Sequence, residues 1–460
     1  MKKEFWWWML GILALEVLSL FFMSSKDTGF FISMILSVVL FFVTVHRPVL
    51  GLGILGVEYL IGSFGHLLPA LRFWFFIAFI LGWFVWAIKN TTWKNWNGYL
   101  SGRKKYFVLA VLCIYTFLMG WFRQNGEFLF VDANAWMVWF LLLPIIDIAA
   151  HHSKYVNRLM APVLAGLVWL GMKTAVTFYL FSHQLSHLHG WFYVWIRDTR
   201  IGEITKITDH AYRIFFQSHI YFIVALLFVL SYFLLHRSSI RTNKGLVWFG
   251  SLLGATTFIS LSRSLWLGLG AAILLLVAWS RRLVPVILVG VGSFIIVFAL
   301  TILPPESDPR AMIDMVHARS SSAEPAALSR WQLLPILWEK IKERPIVGSG
   351  FGATVSYKSF DPRFASTGGQ VTTYAFEWGW MDLWIKFGIA GIVTMLWLLI
   401  SLGYRLWRST HPEWIRVAGI ASIAAFIVIH MFTPYLNHPL GIFALILGEG
   451  LIMSSKNERN

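Results

Sequence analysis

The chain is 460 residues long, 58% hydrophobic and only 13% charged, with a mean hydropathy of +0.68. A soluble protein of this length needs far more charge to cover its surface, so a soluble globular protein is excluded. The formal net charge is +16, and the single cysteine, Cys113, excludes a disulfide framework and a thiolate metal site within one chain.

Apolar runs of membrane-spanning length follow one another along the chain. In lipid the backbone must satisfy its own hydrogen bonds, so such runs are expected to be helices. We predict an all-α integral membrane protein with about 14 transmembrane helices (about 12–14). The runs lie at residues 5–24, 30–45, 49–68, 73–88, 106–122, 135–150, 159–181, 218–235, 246–261, 265–280, 283–303, 379–403, 417–434 and 438–453. The first run has a basic start and no small-residue cleavage site, which predicts an anchor and not a removed signal peptide.

Arginine and lysine predict the orientation of these helices. Most clusters of basic residues fall on alternate links, and such links face the cytoplasm. Both termini are then cytoplasmic. The links predicted to lie outside are residues 25–29, 69–72, 123–134, 182–217, 262–264, 304–372 and 435–437.

One predicted outer link, residues 304–372, is much longer than the others and contains an amphipathic segment at 330–341. Its apolar stripe recurs at helical spacing and consists of Leu334, Leu337, Trp338 and Ile341. We predict a loop helix that lies on the membrane surface or caps the bundle. Pro335 is expected to kink this helix or to delay its start.

A turn-rich stretch follows the amphipathic segment, from Arg344 through the glycines 348, 350 and 352. The alternation of glycines faintly resembles a phosphate-binding loop. It lacks the Lys-Ser/Thr pair of such a loop and follows no predicted strand. We therefore interpret it as a backbone turn that ends the helix.

The two long outer links are basic, which suits an anionic partner such as a lipid diphosphate, an acidic glycan or anionic headgroups. Nucleic acid is not expected on that side of a membrane. Four arginines are candidates for contact with the anion: Arg213, Arg263, Arg330 and Arg344. For each of them the alternative is an interfacial anchor or a solvated helix face.

Two carboxylates, Glu377 and Asp382, lie where the long link re-enters the membrane. A carboxylate at this entry to the membrane is suited to act as a general base. The alternative for Asp382 is an ion pair with Lys386, four residues later on the same helix. Deeper in the apolar runs, Glu16 and Lys173 are costly unless they are paired.

Metal-ligand patterns are weak. His183, His187 and His189 cluster in one outer link, but no nearby Asp, Glu or Cys completes a zinc set. No Asp-x-Asp pair occurs that would hold a metal-bound diphosphate. We therefore predict no metal site and no cofactor.

Three segments together carry a family resemblance: the Ser262–Arg263 turn, the block 330–352 and the Gly-rich segment 388–391. They resemble the O-antigen ligase and polymerase superfamily of bacterial membrane glycosyltransferases. The diagnostic motifs cover residues 205–395, which we predict to be the O-antigen ligase-related core of one polytopic domain, 1–460. The resemblance implies a GT-C-like bundle in the bacterial cytoplasmic membrane, with its large loop outside.

The resemblance also implies an activity. Members of the superfamily take a glycan from undecaprenyl diphosphate at the outer leaflet. They transfer it to a hydroxyl of another repeat unit, a lipid or glycan core, or a protein, without a nucleotide sugar and without metal. By position, Arg263 and Arg330 match the two main arginines of the family. The family's usual histidine base has no counterpart, since no histidine occurs between His317 and His411.

We therefore assign catalytic roles to Arg263, Arg330 and Glu377, with Glu377 in place of the missing histidine. Substrate-binding roles go to Arg213, Arg344, Trp331 and Asp382; Trp331 would stack on a sugar face, although interfacial anchoring is its alternative. If Glu377 is not the base, Asp382 or His219 is the next candidate.

The rival function is a transporter or flippase of lipid-linked glycans. A transporter is expected to carry basic residues at the bilayer midplane and internal pseudo-symmetry, and the sequence shows neither clearly. A membrane sensor is a weaker alternative, because nothing in the sequence resembles a signalling domain.

Overall fold

The structure is a computed structural model that describes residues 2–21, 26–61, 71–101, 103–152, 154–183, 185, 190, 193–198, 202–208, 211–236, 242–303, 325–359 and 368–457. Helices make up most of it. The first nine are α1 (Lys2–Phe21), α2 (Lys26–His46), α3 (Pro48–Ile61), α4 (Leu71–Lys89), α5 (Trp96–Ser101), α6 (Lys104–Phe122), α7 (Phe128–Asn134), α8 (Leu142–His151) and α9 (Tyr155–Ser182). The remaining helices are α10 (Ile220–Leu235), α11 (Lys244–Ile259), α12 (Arg263–Ser280), α13 (Val284–Ile302), α14 (Pro325–Glu343), α15 (Gly379–Trp407), α16 (Glu413–Phe432) and α17 (Pro439–Asn457).

Wherever the structure describes them, the apolar runs predicted from the sequence coincide with helices or successions of helical turns, while residues 22–24 and 62–68 of these runs lie outside the described residues. Among the described residues, ten helical segments are long and apolar enough to cross a membrane. Pro48–Ile61, Lys244–Ile259 and Pro439–Ser455 are apolar but shorter. The all-α integral membrane class is confirmed, while the count of fourteen spans stays a prediction.

Two short antiparallel hairpins interrupt the helices, and the sequence did not predict them. In the first, β1 (Gly202–Thr208) pairs with β2 (Ala211–Phe216), so that Thr205 lies opposite Arg213. In the second, β3 (Val355–Lys358) pairs with β4 (Gln370–Thr373). The first hairpin carries Arg213, and the second lies between α14 and α15, which carry Arg330 and Asp382.

Charged residues inside the helical bundle are paired, as their cost in lipid requires. Lys173 of α9 lies 3.0 Å from the Glu16 carboxylate of α1. Arg72 of α4 lies 3.6 Å from the buried Glu58 of α3.

The predicted amphipathic helix is α14, and it caps the bundle. Its buried residues recur at intervals of four, Leu333, Leu337 and Ile341, and pack with Phe376 and Ile385. The predicted stripe was therefore partly wrong, because Leu334 is only half-buried and Trp338 is 43% exposed. Of the two alternatives for Pro335, a kink or a late start, the late start was wrong, since α14 begins at Pro325 and continues through Pro335.

The glycine-rich stretch after α14 is a backbone turn, as predicted. Gly348, Gly350 and Gly352 all have positive φ, between 73° and 85°. Added side chains would meet backbone atoms at each position, including those of Gly120 for Gly350. Only glycine allows this close approach of the turn to its neighbouring helices.

A break in α15 receives this turn. At Gly388 the backbone leaves the helical conformation, with φ 69° and ψ −168°. The carbonyls exposed nearby accept hydrogen bonds from the turn: Ser349 N donates to Ile385 O at 2.6 Å, and Gly350 N to Lys386 O at 3.1 Å. The chain after α14 is thus fixed to α15, which places α14 over one end of the bundle.

Candidate functional site

Arg213 lies on β2, on the face opposite the fully buried Ile214 and Phe216. Its Nη1 is 2.7 Å from the Glu203 carboxylate on β1, and its Nε donates to Ser260 O at 3.1 Å. Burial lowers the pKa of Arg213, and the nearby charge of Arg330 lowers it further. The guanidinium nevertheless stays protonated at neutral pH, because arginine starts from so high a pKa.

Ser260 belongs to the tight turn that the sequence predicted before Arg263. Leu261 has φ 45°, a left-handed conformation that costs a branched residue about 1–3 kcal/mol. Ser262 is the N-cap of α12, and Arg263 is its first residue. Ser264 and Thr433 share a hydroxyl hydrogen bond of 2.8 Å, which ties this turn to the end of α16.

Arg330 projects from α14 and forms an ion pair with Glu377, just before α15 begins. The Trp378 indole donates to Arg330 O at 3.0 Å and fixes this part of α14. Both side chains of the pair remain accessible, Arg330 at 37% and Glu377 at 51% exposure. Groups so exposed can exchange this partner for a ligand.

Three arginines from distant parts of the chain converge here. Arg213 donates a hydrogen bond to the turn just before Arg263, and the positive charge of Arg330 acts on both arginines. Glu203 pairs with Arg213, and Glu377 pairs with Arg330. We call Arg213, Arg263, Arg330 and their two carboxylates the arginine cluster.

Trp331 lies beside the arginine cluster and Arg344 does not. Trp331 is 62% exposed, and its ring meets that of Trp378 edge-on at 5.5 Å. Arg344 is exposed just beyond the other end of α14, fourteen residues after Arg330. At 1.5 Å per helical residue the two arginines are about 20 Å apart.

Asp382 lies buried in a network that leaves its carboxylate fully engaged. Lys386 Nζ is 2.8 Å from Asp382 and 2.7 Å from Asp132. Asn437 donates to Asp382 at 2.6 Å, and the Gly352 amide donates to Asp132 at 2.8 Å. The pair with Lys386, which was the alternative for Asp382, is therefore present, and these contacts favour a structural role.

The histidines are also engaged. Both ring nitrogens of His219 have partners, Nε2 with Thr174 at 3.0 Å and Nδ1 with the Phe216 amide at 3.5 Å. His183 is buried with Nδ1 against Tyr179 O, while His187 and His189 lie outside the described residues. No group of three potential metal ligands occurs within the described ranges.

Sequence reasoning missed Tyr435 and Glu203. The Tyr435 hydroxyl donates to Gln217 O at 2.8 Å, and burial raises the pKa of Tyr435 while Arg213 opposes that shift. Tyr435 therefore lies near the Arg213 side of the cluster, hydrogen-bonded to the chain four residues after Arg213. Its position in a short link on the predicted outer face was the only signal that the sequence contained.

A cluster of arginines beside an exposed carboxylate has a definite chemical capacity. Guanidinium groups bind phosphate oxygens with paired hydrogen bonds. A carboxylate near a bound anion can accept a proton from a hydroxyl. The site is thus suited to stabilising an anionic leaving group while a neighbouring hydroxyl is deprotonated.

Comparison with known proteins agrees with this chemistry. The O-antigen ligase family matches residues 246–396, a segment that includes Arg263, Arg330 and Glu377. No curated protein and no solved structure gave a match to the chain. The family match indicates a membrane enzyme that performs glycan transfer of the O-antigen ligase type. Over residues 246–396 the chain is thus similar to the O-antigen ligase family, which supports its resemblance to the O-antigen ligase and polymerase superfamily.

Proposed function

We propose that this protein transfers a glycan from undecaprenyl diphosphate to an acceptor hydroxyl at the outer face of the bacterial cytoplasmic membrane. The acceptor belongs to another lipid-linked repeat unit, to a lipid or glycan core, or to a protein. The convergence of Arg213, Arg263 and Arg330 beside Glu377 carries this proposal. In this arrangement both termini lie in the cytoplasm and the link 304–372 lies outside.

The arginines act on the leaving group. When the anomeric carbon–oxygen bond to the diphosphate breaks, the electron pair stays on the diphosphate and adds negative charge there. Arg263 and Arg330 offer fixed donors to these oxygens. One preorganised donor of this kind typically lowers the barrier by about 3 kcal/mol. No metal ion is needed for this step.

Glu377 acts on the acceptor. The acceptor hydroxyl loses its proton to the Glu377 carboxylate as its oxygen forms the new bond to the anomeric carbon. Attack from the side opposite the departing diphosphate inverts the configuration at that carbon in a single displacement. Trp331 lies exposed beside this position and offers an aromatic face to a sugar ring.

The ion pair between Arg330 and Glu377 links the two roles. A diphosphate that takes Arg330 for itself releases Glu377 from its partner. Binding of the donor would then expose the base, and Glu377 would remain masked in the absence of donor. Arg213 forms a similar ion pair with Glu203, so a diphosphate that binds Arg213 would release Glu203 in the same way.

The position of the arginines supports transfer over transport. Arg263 begins α12 and Glu377 precedes α15, so the cluster lies at helix ends and not at mid-helix. An alternating-access carrier is expected to bind its cargo near the bilayer midplane. A site fixed at one end of the bundle suits chemistry at one membrane face.

A size profile of surface and lipid-linked glycan, from cells with and without the gene, tests the proposal. Loss of long chains, with single repeat units still on their final acceptor, indicates a polymerase. Long chains stranded on undecaprenyl diphosphate indicate a ligase. Repeat units trapped in the inner leaflet contradict the proposal and indicate a transporter.

A further inference from the structure

A large apolar cavity lies inside the bundle, away from the arginine cluster. Its volume is about 750 Å³, and α3, α9, α10, α11, α15, α16 and α17 form its walls. It extends along α10 from Tyr221 to Tyr232, which corresponds to about 16 Å. We call it the bundle chamber.

The walls of the bundle chamber offer water almost no free hydrogen-bonding groups. Two polar residues of its walls already have hydrogen-bond partners: the Tyr221 hydroxyl donates to Leu440 O at 2.9 Å and the Ser422 hydroxyl donates to Ala418 O at 2.8 Å. Apolar cavities of this kind stay dry. The cavity is partly open to its surroundings, so it is not a sealed void. A hydrocarbon chain from the surrounding lipid suits an opening with such apolar walls.

A group of buried cations lies beside the bundle chamber. Arg103, Lys105 and Arg405 surround the single carboxylate of Glu449, at 3.5 Å for Arg103 and 3.7 Å for Lys105. Arg103 and Lys105 are less than one-tenth exposed, and the Tyr106 hydroxyl donates to the same carboxylate. Among the described residues, three cations therefore share one anion.

One donor in this group has no partner. Arg405 Nε is buried and, within the described part of the chain, makes no hydrogen bond. An unpaired buried guanidinium nitrogen is costly, and the excess of positive charge adds to that cost. A phosphate oxygen placed here would relieve both.

The cations and the bundle chamber occupy the same turns of two helices. Leu402 and Leu406 of α15 line the chamber on either side of Arg405, and Gly448 of α17 lines it next to Glu449. This level is about 40 Å along α15 from Gly379, at the opposite end of the bundle from the arginine cluster. By the distribution of basic links, this end faces the cytoplasm.

We propose that the bundle chamber and the three cations form a binding site for one anionic glycerophospholipid of the inner leaflet. The phosphodiester contacts Arg103, Lys105 and Arg405, and one acyl chain occupies the chamber. Basic pockets between membrane helices on the cytoplasmic side commonly bind anionic headgroups. The site is separate from the proposed glycan transfer and does not depend on it, because the donor diphosphate belongs at the other end of the bundle.

Native mass spectrometry of the full-length protein, purified in mild detergent, tests the site. Wild type is expected to retain an anionic phospholipid. Gly56→Phe fills the chamber, because Gly56 lines it and an added side chain there meets no atom within 4 Å. Gly270→Phe is the matched control, since Gly270 also has open space but lies exposed outside the bundle. We expect Gly56→Phe to lose the lipid and Gly270→Phe to keep it.

Added lipid gives a second measurement that also shows whether each variant is folded. Dioleoylphosphatidylglycerol should raise the unfolding temperature of delipidated wild type by about 5 °C, and dioleoylphosphatidylcholine should raise it less. Arg405→Gln should weaken the first lipid about tenfold, the loss expected for one charge-assisted hydrogen bond. Equal retention of lipid by folded Gly56→Phe, no preference for the anionic lipid, or a polyprenyl phosphate in the mass spectrum would each overturn the proposal.

Discussion

Two ionic clusters at the same end of the bundle differ in almost every physical respect. In the Lys386 network, Lys386, Asp132 and Asp382 are each less than one-tenth exposed, and backbone amides and Asn437 engage the carboxylates further. In the arginine cluster, the partner carboxylates Glu203 and Glu377 are 62% and 51% exposed. The first arrangement is saturated with partners, whereas the second can exchange them.

The difference suits the two clusters to different roles. The Lys386 network holds the site in place, and the arginine cluster is the part proposed to bind and react. The Lys386 network joins α7, α15 and the turn after α14, so it fixes the helix that carries Arg330. Exposed ion pairs contribute little to stability, but buried ones that lose a partner are strongly destabilising. Substitutions in the two clusters should therefore affect different properties of the protein.

The largest effect is expected on activity from Glu377→Gln. Loss of a general base lowers the transfer rate about 100- to 10,000-fold. The unfolding temperature should hardly change, because the Glu377 side chain is half exposed. Transfer assays with purified donor and acceptor measure the first effect and thermal unfolding measures the second. Glu339→Gln is the matched control, as Glu339 forms an even more exposed pair with Lys342 within α14. A mild effect of Glu377→Gln would instead direct attention to Asp382 or His219.

Lys386→Met should act on the fold. It leaves Asp132 and Asp382 buried without their cation, which costs about 3–5 kcal/mol. The expected result is a loss of folded protein in thermal or protease unfolding. Lys340→Met, which removes an exposed pair with Glu343, should leave unfolding close to wild type. If both variants unfold alike, the contrast between the buried and exposed clusters is wrong.

Gly350→Ala tests the turn that joins the two clusters. Its φ of 85° and the nearby backbone of Gly120 leave no room for a methyl group. We expect a loss of more than about 1 kcal/mol of stability. Gly245→Ala is the control, since an added methyl group there meets nothing within 4 Å. Equal stability of the two variants in chemical unfolding would show that the turn is not closely packed.

Arg344→Ala should have the smallest effect. Its side chain is exposed and about 20 Å from Arg330 along α14, so stability should change by less than about 0.5 kcal/mol. The Michaelis constant for the donor should stay near that of wild type. A large rise in the Michaelis constant would indicate that the anion-binding site extends along the whole of α14.

Much of the fold could be predicted, because it depends on local pattern. Runs of apolar residues predict helices in lipid, and the described part of each predicted run is helical. The buried face of α14 was misassigned by one position, since the choice between Leu333 and Leu334 depends on what packs beneath the helix. Phe376 and Ile385 decide it, and both come from a later segment of the chain.

The site could be predicted only in part, for a related reason. Arg263 and Arg330 were identifiable from short motifs, but their approach to one another depends on how α14 docks on α15. Tyr435 follows Arg213 by more than two hundred residues and has no motif of its own. The partners of Asp382 likewise come from α7 and from the link before α17, so sequence spacing revealed only Lys386.

The most direct test of the account is the rate of glycan transfer by Arg263→Ala and by Arg330→Ala, per molecule of folded protein. If both arginines stabilise the leaving diphosphate, each variant should transfer glycan about 100- to 1,000-fold more slowly than wild type. The unfolding temperature of each variant should stay near that of wild type. Near-normal transfer by both variants would contradict the assignment of this cluster as the site of transfer.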